Sequence, residues 1–325
     1  MKGIVLRGSR NIFTVRVDHA GETGGFEKSE IECRIKGKVL KGMEGYYNPL
    51  APGDRVTAEA SREQGKALIL GAEKRRNRLT RFNQKGQKPQ VLAANVDLAL
   101  CMTSPVSPPF RPRFLDRVLV QAEIAGITPV ILCNKCDLTG PGGMDPDTEE
   151  RLEDYRHIGY GVLRISAQTG AGLDELRELM AGKTSVLLGQ SGVGKTSMVN
   201  ALAPSLAMRT GALNEKYDRG NHTTTLSVML ELPDFVSAGS GVSEAGTFVI
   251  DTPGIRRMVP DGIKPEEVIL YMKEFASLAG HCTYGLSCSH RREPGCKVME
   301  AVAAGVIHED RYESFLRISD ELAAL

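Results

Sequence analysis

Gly189-Gln190-Ser191-Gly192-Val193-Gly194-Lys195-Thr196, followed by Ser197, has the residue types and spacing of a phosphate-binding loop. Its glycines let successive backbone N–H groups turn inward around a β-phosphate, and a helix beginning at Lys195 would add partial positive charge. Lys195 is expected to bridge the β- and γ-phosphates, and the Thr196 hydroxyl to ligate Mg²⁺. About 55 residues later stands Asp251-Thr252-Pro253-Gly254. Asp251, closing an apolar strand, would hold the Mg²⁺ shell, and Gly254 would offer its N–H to a γ-phosphate. His222-Thr223-Thr224-Thr225 lies between them, where a switch loop delivers a threonine to the metal. Spacing does not choose among Thr223, Thr224 and Thr225, and a threonine-rich strand start is the plainer alternative.

A second set of residues could read a base. Asn134-Lys135-Cys136-Asp137 follows the apolar run Pro129–Cys133, at the strand end where open α/β sheets place ligand loops. A buried Asp137 carboxylate can accept two hydrogen bonds from guanine N1–H and N2–H₂. Adenine presents no such pair and would leave the charge unpaired. Asn134 would tie this loop to the phosphate loop, and Lys135 would pack over the base. Ser166-Ala167, again after a strand, would offer a backbone N–H to guanine O6. Together these loops favour GTP over ATP. Their order is unusual, because the base-reading loops precede the phosphate loop and its partners. The parts of a guanine-nucleotide switch are present, but the chain is cut and rejoined elsewhere.

The third constellation is Cys282-x5-Cys288-x-His290-x5-Cys296, three thiolates and an imidazole within fifteen residues. Four soft S/N donors favour tetrahedral Zn²⁺ and leave no open catalytic position, so a single structural site is expected. Seven cysteines cannot all pair internally. Cys33, Cys101, Cys133 and Cys136 fall mostly in strand-like apolar runs, as small buried thiols do.

The elements that must position these residues change character along the chain. Residues 1 to about 80 contain short strands broken by glycine, at Gly3–Arg7, Ile12–Val17, Ile31–Ile35, Arg55–Ala60 and Ala67–Leu70. Five short strands fit a small β-barrel of the OB type, with the hairpin from Asp18 to Ser29 and the Gly37–Pro52 stretch as its longer loops. Lys74, Arg75, Arg76, Arg78 and Arg81 mark a linker. Residues 81–262 alternate buried strands and amphipathic helices, which predicts a mostly parallel, doubly wound sheet. Residues 263–325 carry helical spacing, at Glu266–Ala279, Val298–Ala304 and Arg311–Ala324, around the Cys/His cluster.

The net charge of +1 conceals an asymmetry. Residues 1–90 hold nine Lys and ten Arg against two Asp and eight Glu, a net +9 that leaves −8 for the remainder. A basic front suits a polyanion such as nucleic acid, with a solvated basic face as the equal alternative. No apolar run approaches the roughly 20 residues needed to span a bilayer. The first residues are too soon charged for a secretory signal, so a cytoplasmic protein without a membrane partner is expected.

Taken together, the motifs and their order closely resemble the circularly permuted, ribosome small-subunit-dependent GTPase A family of bacteria. Gly53-Asp54-Arg55-Val56 and Arg76-Asn77-x-Leu79-x-Arg81 resemble its barrel and linker. Phe114-Leu115-Asp116-Arg117, Gly189–Ser197, His222–Thr225, Asp251–Ile255 and Glu293-Pro294-Gly295-Cys296 resemble its central and zinc elements. The resemblance implies hydrolysis of GTP to GDP, stimulated by the 30S ribosomal subunit late in its maturation. It also implies that barrel and zinc region grip 16S rRNA. The chain departs from the family in its first zinc spacing (x5 for x4), in Asn221 where a basic residue precedes the threonines, and in a long Asp234–Gly246 loop.

Ile255 follows the Asp251–Gly254 motif, where many GTPases place a glutamine that orients water. Intrinsic hydrolysis should therefore be slow. His222 is the expected water-positioning residue, ordered when the ribosome orders the switch loop, with a purely rRNA-contacting histidine as the alternative. A GTP-gated rRNA-binding chaperone, in which hydrolysis serves only release, is the rival function. A metal-inserting GTPase is a further one, disfavoured by the basic barrel. Nothing suggests an obligate dimer, so a monomer is expected. Because Asp251–Gly254 runs within about ten residues into the zinc region, γ-phosphate contacts are expected to shift that region against the rest.

Overall fold

Alternating apolar residues close the first 72 residues on themselves. In the computed structural model, which describes the chain except residues 10, 21–25, 38–39, 41–44, 62–64, 84–85, 207–226, 234, 236–245, 253–257 and 325, five strands form this closed barrel. They are β1 (Lys2–Ser9), β2 (Ile12–Ala20), β3 (Phe26–Ile35), β4 (Arg55–Ala60) and β5 (Lys66–Ala72). Neighbours run β1-β2-β3-β5-β4 and back to β1, with β3 and β5 parallel. Val5, Phe13, Val15, Val17, Cys33, Val56 and Ile69 fill the interior. The hairpin expected over Asp18–Ser29 extends the β2–β3 ladder: Val17 pairs with Ser29 and Ala20 with Phe26.

The Gly53-Asp54 turn is a joint. Gly53 has φ +90°, and a Cβ there would stand 2.1 Å from the Ala94 carbonyl oxygen. Asp54, fully buried, accepts two 2.7 Å hydrogen bonds from the Arg75 guanidinium and one of 2.8 Å from the Ala51 N–H. The basic run read as a linker enters a strand instead. β6 (Arg78–Asn83) pairs antiparallel with β7 (Lys88–Ala94), so the 80/81 division falls inside β6. Leu79 and Val91–Ala94 are buried beneath the hairpin, and the flanking arginines conceal that apolar pattern.

The central sheet has the order β10-β9-β8-β11-β13-β12. Its strands are β8 (Leu98–Thr103), β9 (Thr128–Cys133), β10 (Gly161–Arg164), β11 (Thr184–Gly189), β12 (Val228–Glu231) and β13 (Phe248–Asp251). All pairings are parallel except that of edge strand β12 with β13. Both faces are covered, which is why β8 and β13 are buried throughout. Helix α1 (Pro112–Ile124) starts with proline at N1 and packs Leu115, Val118, Leu119 and Ala122 into one core. Helix α2 (Pro146–Ile158) is capped by the Asp145 carboxylate on the Thr148 N–H and ended by Gly159 at φ +97°. Helices α3 (Leu173–Met180) and α4 (Lys195–Leu202) cover the opposite face.

The barrel rests on the β12 edge: Arg16 of β2 donates to Glu231 at 3.1 Å and lies 4.7 Å over the Phe248 ring. Beyond the sheet, the helical spacing of Glu266–Ala279 resolves into a 3-10 segment (Pro265–Tyr271) and a one-turn α5 (Lys273–Ala276). Met272, at φ −115° and ψ 110°, separates them. Buried Val268, Met272 and Phe275 keep a three-to-four spacing that both helix types satisfy. Helices α6 (Lys297–Ala303) and α7 (Glu309–Ala323) complete the region. Helix α7 packs on α1 through a fully buried charge network. Asp116 accepts from Tyr155 Oη, Arg311 Nη1 and Ser314 Oγ, each at 2.5 Å, while Arg311 Nε donates to Glu274 at 2.5 Å. No helix among the described residues is long and apolar enough to cross a membrane.

Candidate nucleotide site and metal centre

Parallel pairing brings the carboxyl ends of β9, β8, β11 and β13 to one rim, and the loops leaving them meet there. Gly189 ends β11, and the loop to α4 turns at Gly192 (φ +85°) and Gly194 (φ +92°). Gly194 is the N-terminal boundary of α4, so the amide end of that helix faces the loop. Val193 is buried as the loop's anchor, while Gln190, Thr196, Ser191, Gly192 and Ser197 are partly or fully open to solvent. Lys195 Nζ donates to the carbonyls of Gly189 and Gln190, 3.0 Å each, which fixes the ammonium along the loop.

Asp251 pairs with Leu187 of β11 and Val228 of β12 at the sheet's end, close enough to Lys195 for the two charges to interact. It is buried, its Oδ1 has no hydrogen-bond partner among the described residues, and burial raises its pKa to about 6 against the opposing pull of Lys195. Burial in turn lowers the Lys195 pKa, which Asp251 counteracts. A buried carboxylate oxygen without a donor fits a divalent cation shell. Thr252 Oγ1 donates to the Leu187 carbonyl at 2.6 Å and locks the strand end. His222, Thr223, Thr224, Thr225, Gly254 and Ile255 lie outside the described residues.

The base-reading residues converge on the same rim. Asn134 is buried and spans three loops: its Nδ2 donates to the Val193 carbonyl at 2.9 Å, and its Oδ1 accepts from the Ala167 N–H at 3.1 Å. Lys135 adopts φ +67° and donates to the carbonyls of Ser107 and Gly192, 2.7 Å each. Ser166 Oγ donates to Asp137 Oδ1 at 2.6 Å and accepts from the Thr169 N–H. Asp137, which discriminates against adenine only if buried, is exposed on the rim in the nucleotide-free chain. The loop leaves β9 through a 3-10 turn, Cys136–Thr139, which lifts Asp137 from the sheet. Ser107 has no sequence signature for its part, because it contributes only a backbone carbonyl.

Cys282, Cys288, His290 and Cys296 place one ligand atom each within 4.8 Å of one another, all four buried. His290 Nδ1 stands 3.5 Å from the sulfurs of Cys282 and Cys296, which are 3.9 Å apart. Donors around a tetrahedral zinc-sized ion would be roughly 3.5–3.8 Å apart. The donor set therefore fits, and the longer first spacing does not keep Cys282 away. Glu293 organises the loop, accepting from the N–H groups of Ser289, Arg291 and Arg292 and from Ser289 Oγ. Tyr312 Oη of α7 donates to the His290 carbonyl at 2.7 Å and ties the centre to that helix.

The family model for RsgA GTPase matches residues 72–259. The small ribosomal subunit biogenesis GTPase RsgA of Chlorobaculum parvum is 37% identical, covering 99% of this chain and 98% of its own length. The RsgA of Bacteroides fragilis is 35% identical over 99% and 97%. Among solved structures, YjeQ from Thermotoga maritima matches with TM-score 0.69 and 31% identity, over 100% of this chain and 99% of its own. YloQ, described as a circularly permuted GTPase, matches with TM-score 0.66 and 26% identity over 99% and 95%.

Proposed function

This chain belongs to the RsgA GTPase family and is a GTPase of small ribosomal subunit biogenesis, from which we propose that the 30S subunit binds it and stimulates its GTP hydrolysis late in maturation. The observation that carries the reading is Asn134, whose one side chain joins the phosphate loop to both base loops. A guanine seated against Asp137 would replace water at that exposed carboxylate, and the Ala167 N–H would reach O6 only by leaving Asn134 Oδ1. Lys195 and the Gly189–Thr196 amides would hold the phosphates, with Ser197 beside them. Thr196, Asp251 and one of Thr223–Thr225 would hold Mg²⁺, which supplies charge neutralisation of the β- and γ-phosphates when bound. Gly254 would contact the γ-phosphate. His222 is the proposed water-positioning residue, since Ile255 cannot hydrogen-bond.

In this reading residues 1–80, 81–262 and 263–325 are the working units, with the β6–β7 hairpin as the joint between the first two. The basic barrel and the C-terminal region would meet 16S rRNA, and the protein would act as a cytoplasmic monomer. The S₃N centre would hold Zn²⁺ structurally, because four protein donors leave no position for substrate. The deciding experiment measures phosphate release from GTP with and without purified 30S subunits, using 50S subunits and ATP as controls. Stimulation by 30S and GTP alone is expected. Equal rates with 30S and 50S would overturn the partner assignment. In the same assay His222→Ala should lose roughly 100-fold of the stimulated rate. Full retention would remove its catalytic role.

A further inference from the structure

Two of the four cysteines outside the metal centre bracket the base-reading residues as Cys133-Asn134-Lys135-Cys136. Cys133 closes β9 and is fully buried, and Cys136 opens the following 3-10 turn and is half-buried. The Cys136 thiol lies over the strand end, 3.1 Å from the Cys133 carbonyl oxygen. The two thiols are close enough at this strand end for each to perturb the other's ionisation. Cys33 is buried in the barrel, and Cys101 is fully buried on β8 in the same core as Cys133.

We propose that Cys133 and Cys136 form a reversible disulfide under hydroperoxide, closing a ring across Asn134 and Lys135 and weakening guanine-nucleotide binding; this rests on the base-reading role given above. The neighbouring Cys133 thiol lowers the Cys136 pKa, while Cys136 and burial raise that of Cys133; Cys136 is also the more exposed of the two. Cys136 is thus the first nucleophile. Its thiolate attacks one peroxide oxygen: an S–O bond forms, the O–O bond breaks, and the departing oxygen takes up a proton to leave as water. The Cys133 sulfur then attacks the Cys136 sulfenic acid. The S–S bond forms, the S–O bond breaks, and the hydroxyl leaves as water with the Cys133 proton. The thiols give up two electrons and the peroxide accepts them. To reach Cys133, the Cys136 sulfur must leave its place over the carbonyl and draw its own backbone along. Asp137 is the next residue and Lys135 the previous one, at φ +67° with two 2.7 Å bonds to set. Neither can hold its present position against the ring.

The test uses the full-length, metal-loaded protein. Reduced protein is first titrated with GDP and with ADP, and preference for GDP checks the base reading by itself. The protein is then treated with hydrogen peroxide and digested with trypsin, which cuts after Lys135 inside the ring. Peptides 118–135 and 136–151 should be recovered joined, about 2 Da lighter than their sum. GDP affinity should fall about tenfold or more and return with dithiothreitol. Cys136→Ser should neither join the peptides nor lose affinity on oxidation, and a variant that does not fold leaves the wild-type mapping to decide. Separate peptides after oxidation, or joined peptides with unchanged GDP affinity, would overturn the proposal.

Discussion

Asp251 brings a carboxylate into the sheet's end with one oxygen unmatched among the described residues, and burial there raises its pKa to about 6. In nucleotide-free protein the folded state holds this proton more tightly than the unfolded chain does. The folded pKa is raised, so stability falls as pH rises through the window from about 4 to about 6 and is level above it. Asp251→Asn should therefore raise the nucleotide-free stability at pH 7.5 by about 1–3 kcal/mol. It should also cost most of the Mg²⁺-dependent GTP affinity. Urea unfolding of both proteins at pH 4.5 and 7.5 checks this; an asparagine variant less stable at pH 7.5 would show the carboxylate to be structurally satisfied. At this scale the motif residues were legible, because each loop is contiguous and its residue types are few. The exposure of Asp137, the Ser107 carbonyl under Lys135 and the four bonds on Glu293 were not. They depend on backbone groups and on how a loop leaves its strand.

Between elements, Gly194 is where two motifs distant in sequence touch. It ends the phosphate loop at φ +92°, and a Cβ there would lie 2.4 Å from Asn134 Nδ2. Gly194→Ala should cost about 1–3 kcal/mol through backbone strain. It should also displace Asn134, so that affinity for GDP and for guanosine alone both fall. Isothermal titration with the two ligands separates these: loss confined to GDP would mean that only the phosphate loop had moved. The strand–helix alternation of the central sheet was legible from apolar runs and their spacing. The β6–β7 hairpin was not, because arginines at 78 and 81 mask a strand whose buried residues lie mostly on its partner. The Asp18–Ser29 hairpin was legible from its glycines, though not how far its ladder extends.

Across the whole molecule, the C-terminal region is fixed to the base-reading half. Arg311 is 1% exposed between Asp116 of α1 and Glu274, although its chain connection runs from β13. The shift expected from Asp251–Gly254 must therefore work against a buried ionic contact, and the region should travel with α1. Removing one partner strands the others: Arg311→Met should destabilise by about 3–5 kcal/mol. Adding Asp116→Leu should recover part of that loss, as a double-mutant cycle in urea would read; strict additivity would show the pair uncoupled. The barrel's contact with the β12 edge has a different consequence, concerning synthesis. Arg16 and Glu231 are 215 residues apart, and a growing chain emerges from its amino end. The barrel, its joint with Ala94 and β8–β10 leave the ribosome first, but the part of the barrel's seat formed by β12 and β13 appears only with the strand that carries Asp251. A nascent chain thus completes the barrel's docking after its Gly189–Thr196 loop has emerged, in the same stretch that supplies the Asp251 carboxylate.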